Sequence, residues 1–433
     1  MKKIKHLILI LCIISLVLPL FGSCVKTDPT NTPTSGVLTS KGKSSGAFFS
    51  TESKIIVYDD FTKKENLDKF DKAWADCRNA LEKIDSFCSP AVATSDLVKF
   101  NKLKFGESIQ INEITAKILE IAKADFELTN GLFDPTVYPL VDLWGFTPRF
   151  SEFGYTPTTP YDRVRNDDGS FDLPDAKYID AFVKLVDFSK ITLTFNEKNG
   201  YTLTKNIPDI VVDGKTYSAK LDLGGIAKGY AVEQMNVILR GYGYQYGYIS
   251  CGSSSMSLFK SYTPNSTSDE NYNLGVNKPR DGADPTSSIY AKIKMKDMSL
   301  SSSGDYEHSY SIDGKNYCHI IDPRSGYPIN ISPKSADQPQ VGIATITLLG
   351  GAADTDDGLT TALSLMSLDE LMTFIDTKLS DRMYMLVLFK QGENKFEVVT
   401  NIDNSLLTFV DDAYVLSSKI ENEKVIYTGE YLK

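Results

Sequence analysis

Histidine, carboxylate and guanidinium stand almost side by side in Tyr317-Cys318-His319-Ile320-Ile321-Asp322-Pro323-Arg324-Ser325-Gly326-Tyr327-Pro328, in a chain that holds only 3 histidines among 433 residues. These are groups that move protons and hold anions. Asp322, Pro323, Arg324 and Gly326 do not suit the inside of a buried strand, so the apolar pair Ile320-Ile321 must end at once in a tight turn. The stretch reads either as a site at a strand end or as a structural turn with His319 as a satisfied polar residue.

A second cluster follows an alternating strand over Ile343 to Leu349. In Gly350-Gly351-Ala352-Ala353-Asp354-Thr355-Asp356-Asp357-Gly358-Leu359-Thr360-Thr361, three acids crowd one helix start. The helix dipole favours acids there, which accounts for one or two of them without a function. Asp357 and Thr361 lie four apart and share a helix face, where a carboxylate and a hydroxyl suit a hard cation such as Mg²⁺. In the third cluster, Ser218 to Tyr230 pass from a strand through Gly224-Gly225 into a helix on which Ala227, Ala231, Met235 and Ile238 share a face. Free amides at such a helix start suit a phosphate, although two glycines can equally serve tight strand–helix packing. Neither Gly-x-Gly-x-x-Gly nor Gly-x-x-x-x-Gly-Lys-Ser/Thr fits, so Rossmann and Walker sites are excluded.

Elements that could position these groups are legible. Phe70, Trp74, Cys77, Leu81 and Ile84 mark an amphipathic helix over Leu67 to Ile84, and Ile118, Ile121, Ala122 and Phe126 another over Ile114 to Thr129, closed by Asn130-Gly131. Strands are predicted from Phe48 to Tyr58 and from Ile191 to Phe195. Residues 148–176, rich in proline and polar residues, read as a surface excursion. Antiparallel-looking strands with segregated helices imply an α+β fold, a single compact domain with a mixed or antiparallel sheet and packed helices.

Lys2, Lys3 and Lys5 precede the apolar run Leu7 to Leu20, which is too short to span a bilayer and ends at Phe21-Gly22-Ser23-Cys24; residues 1–23 read as a lipoprotein signal peptide with Cys24 as the lipidated residue. Residues 24–45 then read as a flexible tether and 46–433 as the folded domain. This predicts an extracytoplasmic protein, lipid-anchored to the bacterial membrane. Loss of those lysines takes the formal charge from −10 to −13 (−10 − 3). With no basic cluster, a nucleic-acid partner is not expected. Cys77, Cys88, Cys251 and Cys318 form no Cys-x-x-Cys, so no zinc or redox motif is indicated, and a Cys77–Cys88 disulfide is left open.

Taken in order, the motifs resemble the ApbE-type flavin transferases, the FAD:protein FMN transferases, over about Gly46 to Asp376. Gly131-Leu132-Phe133-Asp134-Pro135-Thr136-Val137 with Pro139-Leu140-Val141-Asp142-Leu143-Trp144-Gly145-Phe146 is similar to the family's Phe-Asp-Pro-Thr-Val block, and Leu221-Asp222-Leu223-Gly224-Gly225-Ile226-Ala227-Lys228-Gly229-Tyr230 to its glycine-rich block. Ser303-Gly304-Asp305-Tyr306 with His319-Ile320-Ile321-Asp322-Pro323 resembles the third, and Asp357 to Leu363 the fourth. The resemblance implies that Leu132, Phe133, Asp134, Asp222, Lys228 and His319-Ile320-Ile321 hold FAD, that Phe87 stands where the family often has a stacking tyrosine, and that the Gly225 carbonyl, Asp357 and Thr361 hold Mg²⁺. It implies transfer of FMN from FAD to a threonine or serine hydroxyl of a separate acceptor protein, with Asp357 and His319 as catalytic residues. The chain departs from the family pattern at Ser45-Gly46-Ala47, where Met-Gly-Thr is usual, and at Ser253, which replaces a glycine. An Asp-x-x-Ser/Gly-Ala-Thr acceptor site is absent from this sequence, so self-modification by that route is not expected. The other readings are a Mg²⁺-dependent FAD pyrophosphatase, with water in place of the hydroxyl, and a non-catalytic FAD-binding lipoprotein.

Overall fold

The computed structural model describes residues 38–48, 51–147, 173–252, 254–264, 270–284, 286–331, 341–422 and 424–432. Its central sheet has nine strands, lying side by side in the order in which the chain makes them. They are β1 (Thr39–Phe48), β2 (Thr51–Asp59), β3 (Gly247–Cys251), β4 (Ser255–Leu258), β5 (Met298–Gly304), β6 (Val341–Leu349), β7 (Met383–Lys390), β8 (Phe396–Thr400) and β9 (Tyr414–Leu416). Neighbours are antiparallel except β8 and β9, which run parallel.

Both faces of this sheet are covered. Along β7, Tyr384, Leu386 and Leu388 enter a core shared with α1 (Lys64–Cys88), α2 (Glu113–Leu128), α3 (Ala227–Gly241) and α4 (Ala353–Leu363). Met385, Val387 and Phe389 enter a second core, beneath a small sheet of Tyr272–Asn277, Ile289–Met295 and Leu407–Phe409. Strands buried on both faces read as nearly continuous apolar runs, as Met383–Lys390 does. The mixed sheet with separate helices is the α+β architecture that the sequence predicts.

The predicted stripe on α1 is buried at Phe70, Cys77, Leu81 and Ile84, and the helix runs past both predicted ends. Asn112 caps α2, and Asn130 (φ 53°) and Gly131 (φ 84°) close it in the left-handed turn that the sequence indicates. The strand predicted at Ile191 to Phe195 is Ile191–Asn196, paired with Gly200–Lys205.

Thr39 to Ser45, which the composition assigns to a flexible tether, form a strand instead. They lie in β1, paired with β2 from Thr39–Asp59 to Ser45–Ser53. Serine, glycine and lysine there give no apolar pattern because β1 is an edge strand whose side chains are mostly exposed and whose backbone alone makes the ladder. The signal segment, Cys24, residues 148–172 of the excursion and Ser253 lie outside the described residues. Asp175 caps the helix Ala176–Phe182 that ends the excursion. Cys77, Cys88, Cys251 and Cys318 are buried free thiols. Cys77 and Cys88 share one helix eleven residues apart, roughly 16 Å at 1.5 Å per residue, too far for a disulfide.

Helices α3 and α4 meet at backbone distance. A Cβ placed on Gly229 would lie 2.2 Å from the Ala353 carbonyl and 2.6 Å from Asp357 Cβ, and one on Gly358 would lie 2.3 Å from Asp125 Oδ2. Gly229→Ala is expected to push α3 and α4 apart and to lower stability by about 1–3 kcal/mol, measurable as a reduced denaturant midpoint; an unchanged midpoint would show that the two helices are not held this closely.

Candidate active site

Asp357 points out of the second turn of α4 into the α3 interface, where each carboxylate oxygen has a donor. Gly229 N donates to Oδ2 at 2.9 Å, and Ser255 Oγ, from β4, donates to Oδ1 at 3.1 Å. Burial raises its pKa above the ordinary carboxylate value, opposed by the nearby Lys228 ammonium and these donors. The phosphate reading of the α3 start is narrowed by this contact, since the Gly229 amide already has a carboxylate of the same chain.

The other two acids at the α4 start have local roles. Asp354 accepts the Thr355 amide at 2.8 Å. Asp356 is fully buried, accepts Gly351 N at 3.1 Å and pairs with Arg382 Nε at 3.2 Å. Burial still holds Asp356 up at about 6, against the pull of Arg382.

Thr361 lies one turn beyond Asp357, and a Cβ on Gly225 would lie 3.5 Å from Thr361 Oγ1 and 3.4 Å from the Phe133 ring. Gly225, Asp357 and Thr361 are thus brought together from two helix ends, with Phe133 wedged against Gly225 and Gly358. Lys228, in the first turn of α3, donates from Nζ to the Gly224 carbonyl at 2.7 Å. Its charge acts on Asp222, Asp357, Cys251 and His319, so it is the common neighbour of motifs far apart in sequence. Asp222 is half-buried and takes Gly224 N on Oδ1 at 2.7 Å; burial raises its pKa, while Gly224 N and Lys228 oppose the shift.

His319 follows directly on the strand Lys315–Cys318, at the strand end that the sequence indicates. Its ring stands edge-on to His308, with centroids 5.2 Å apart, and its Nδ1 is buried with no hydrogen-bond partner among the described residues. Burial, then His308 and Lys228, push the imidazole down to about 3, so it is neutral at physiological pH. The following turn is structural: Gly326 N donates to the Asp322 carbonyl at 2.7 Å, and Arg324 Nη2 bonds Asp322 Oδ2 at 2.7 Å and the Leu365 carbonyl at 3.0 Å. Ile320 and Ile321 are both buried, one in the main core and one in a third core around Trp144 and Tyr317.

Asp134 is buried, and its oxygens serve its own loop, Oδ1 accepting Thr136 N at 2.7 Å and Oδ2 accepting Phe188 N at 3.1 Å; burial brings it up to about 6. Leu132 is buried in the main core, and Phe87 packs half-buried against it. Ser45 sits at a register shift in β1.

Two site residues escape the sequence reading. Ser255 is one serine in a serine-rich stretch, and nothing in the pattern singles it out. Asp125 did leave a signal, a carboxylate in the apolar stripe of α2 three residues after Ala122. It is 1% exposed, and Oδ2 has no partner among the described residues. Burial first, then Asp354, Asp356 and Asp357, raise it to about 8.

The sequence pattern described as the ApbE family matches residues 49–386. The FAD:protein FMN transferase of Haemophilus influenzae is 29% identical over 294 residues, 67% of this chain and 72% of its own length. That of Vibrio cholerae is 27% identical over 288 residues, 66% and 71% respectively. Among solved structures, the flavin transferase ApbE from Vibrio cholerae is similar with a TM-score of 0.62 at 23% identity, covering 84% of this chain and 97% of that one. The ApbE protein from Thermotoga maritima gives 0.60 at 24%, covering 81% and 94%. At these identities the structural likeness shows a shared fold.

Asp125 yields a pH prediction. Its pKa is raised in the fold, so the stability it contributes is complete below the ordinary value of 3.8 and is lost as pH rises through about 8. Asp125→Asn should remove that decline. In denaturant titrations without divalent cations, its stability relative to the parent is expected to rise steadily across this window, and parallel pH profiles would contradict the burial argument.

Proposed function

Because the chain belongs to the ApbE family, we propose that it is an FAD:protein FMN transferase that joins FMN through a phosphodiester to a threonine or serine hydroxyl of an acceptor protein. In this reaction the hydroxyl oxygen bonds the FMN-side phosphorus of FAD and loses its proton. The bond from that phosphorus to the bridging oxygen breaks, and AMP leaves with the bonding pair. The observation that carries the reading is that Asp222, His319 and Asp357, from three separate motifs, all lie within the field of the Lys228 ammonium, with Asp357 bonded across to the next residue's amide, Gly229 N.

Each residue has a role that its surroundings support. Lys228 offers positive charge to the pyrophosphate, and Asp222 lies within reach of the same charge. The Gly225 carbonyl, Asp357 and Thr361 form an all-oxygen donor set that fits Mg²⁺, and each Asp357 oxygen, holding one donor, keeps a lone pair for the ion. When bound there, Mg²⁺ would offset the charge that builds on the departing phosphate. With the Asp357 oxygens so engaged, the neutral His319 is the acceptor for the hydroxyl proton. Phosphates of FAD beside it would counter the repulsion from Lys228 and raise its basicity. Lipidation at Cys24, with the enzyme anchored outside the cytoplasm, belongs to the same proposal; the charge run, apolar run and cysteine at the N-terminus support it.

Full-length protein in detergent, given FAD, Mg²⁺ and an acceptor domain carrying an Asp-Gly-Ala-Thr sequence, is expected to raise the acceptor mass by one FMN and release AMP. Asp357→Ala should cut the rate by at least about two orders of magnitude, and EDTA should abolish it. Free FMN and AMP with unmodified acceptor would establish the pyrophosphatase instead, and intact bound FAD would establish a carrier.

A further inference from the structure

The backbone leading into the site is held by side chains in place of a strand ladder. An isolated bridge joins Lys220 to Val137, and Asp222 N donates to the Pro135 carbonyl at 2.7 Å. Lys205, buried at the end of the strand Gly200–Lys205, donates from Nζ to the carbonyls of Ala219 at 2.5 Å and Leu103 at 2.8 Å. Asn101 makes the closest hold. Its Oδ1 accepts Leu221 N at 2.7 Å, and its Nδ2 donates to the Leu221 carbonyl at 3.0 Å.

A carboxamide bonded to both polar groups of one residue copies what a neighbouring strand would offer, and it fixes the peptide in rotation as well as position. The carboxamide is itself anchored. Asn101 ends the helix Asp96–Asn101, which Ser95 caps, and the buried Asp96 carboxylate accepts Asn112 N at 2.6 Å and Thr115 Oγ1 at 3.0 Å. Leu221 and Leu223 are each 1% exposed. The side chain between them must therefore leave on the opposite side, and the rotation of the Leu221 peptide decides where the Asp222 carboxylate goes and how the chain turns into Gly224-Gly225.

We infer that Asn101 is a positioning residue which, through Leu221, sets the Asp222 carboxylate and the Gly225 carbonyl and thereby the affinity for FAD. The ligand's identity rests on the flavin-transfer reading; the clamp rests on the hydrogen bonds alone. Full-length Asn101→Ala and the near-isosteric Asn101→Asp, which keeps the acceptor for Leu221 N and loses the donor, separate positioning from bulk stability. FAD affinity read by flavin fluorescence quenching without acceptor, well below the thermal transition of each variant, should weaken about 10- to 100-fold in Asn101→Ala and less in Asn101→Asp. The change should be larger in KM for FAD than in kcat. Should Asn101→Ala not fold, Asn101→Asp decides. Parental FAD affinity in the folded variants, or losses that only track the unfolded fraction, would overturn the inference alone. A parent protein that binds no FAD would overturn the proposed function together with it.

Discussion

The close approach of α3 and α4 is the constraint on which the rest of the site depends. Only a glycine at 229 lets the Asp357 carboxylate reach a backbone amide of the facing helix, and that bond, with the one from Ser255, holds a buried charge where water cannot. A carboxylate held by one donor on each oxygen is fixed in rotation as well as in position. The charge also needs a counterweight, which the Lys228 ammonium provides from the same helix that donates the amide.

The sheet makes this approach reproducible. Ser303, on β5, donates to Thr360 Oγ1 at 2.9 Å, and Thr360 donates in turn to the Asp357 carbonyl at 3.0 Å, so α4 is registered on the strand beneath it by hydroxyls as well as by apolar packing. Thr345, from β6, donates to the Ser303 carbonyl at 2.9 Å. The serines and threonines that make these strands look unlike core are what ties α4 to them.

Sequence patterns disclosed the parts of this arrangement that repeat. The α1 and α2 stripes, the Asn130-Gly131 closure, the strand end before His319 and the Asp357–Thr361 face all follow from spacing or from residue-specific backbone preferences. Thr39 to Ser45 did not, because an exposed edge strand needs no pattern in its side chains. Asp134 shows the opposite limit: its motif was legible, but whether a carboxylate faces a ligand or its own loop depends on Phe188, far along the chain. Ser255 and Asn101 act across long separations on backbone or side-chain atoms, and one sequence carries no trace of such pairings.

The order of the sheet has a consequence for how the protein is made. Its strands are laid down from one edge to the other as the chain is synthesised, yet the two halves of the site lie on opposite sides of that progression, α3 before β3 and α4 after β6. A growing chain can complete β1 to β5 and the helix that bears Lys228 while Asp357 is still unmade. On the proposed function, flavin would therefore have no finished place to bind until most of the polypeptide exists, and a truncated product would retain much of the sheet while lacking one half of the candidate site.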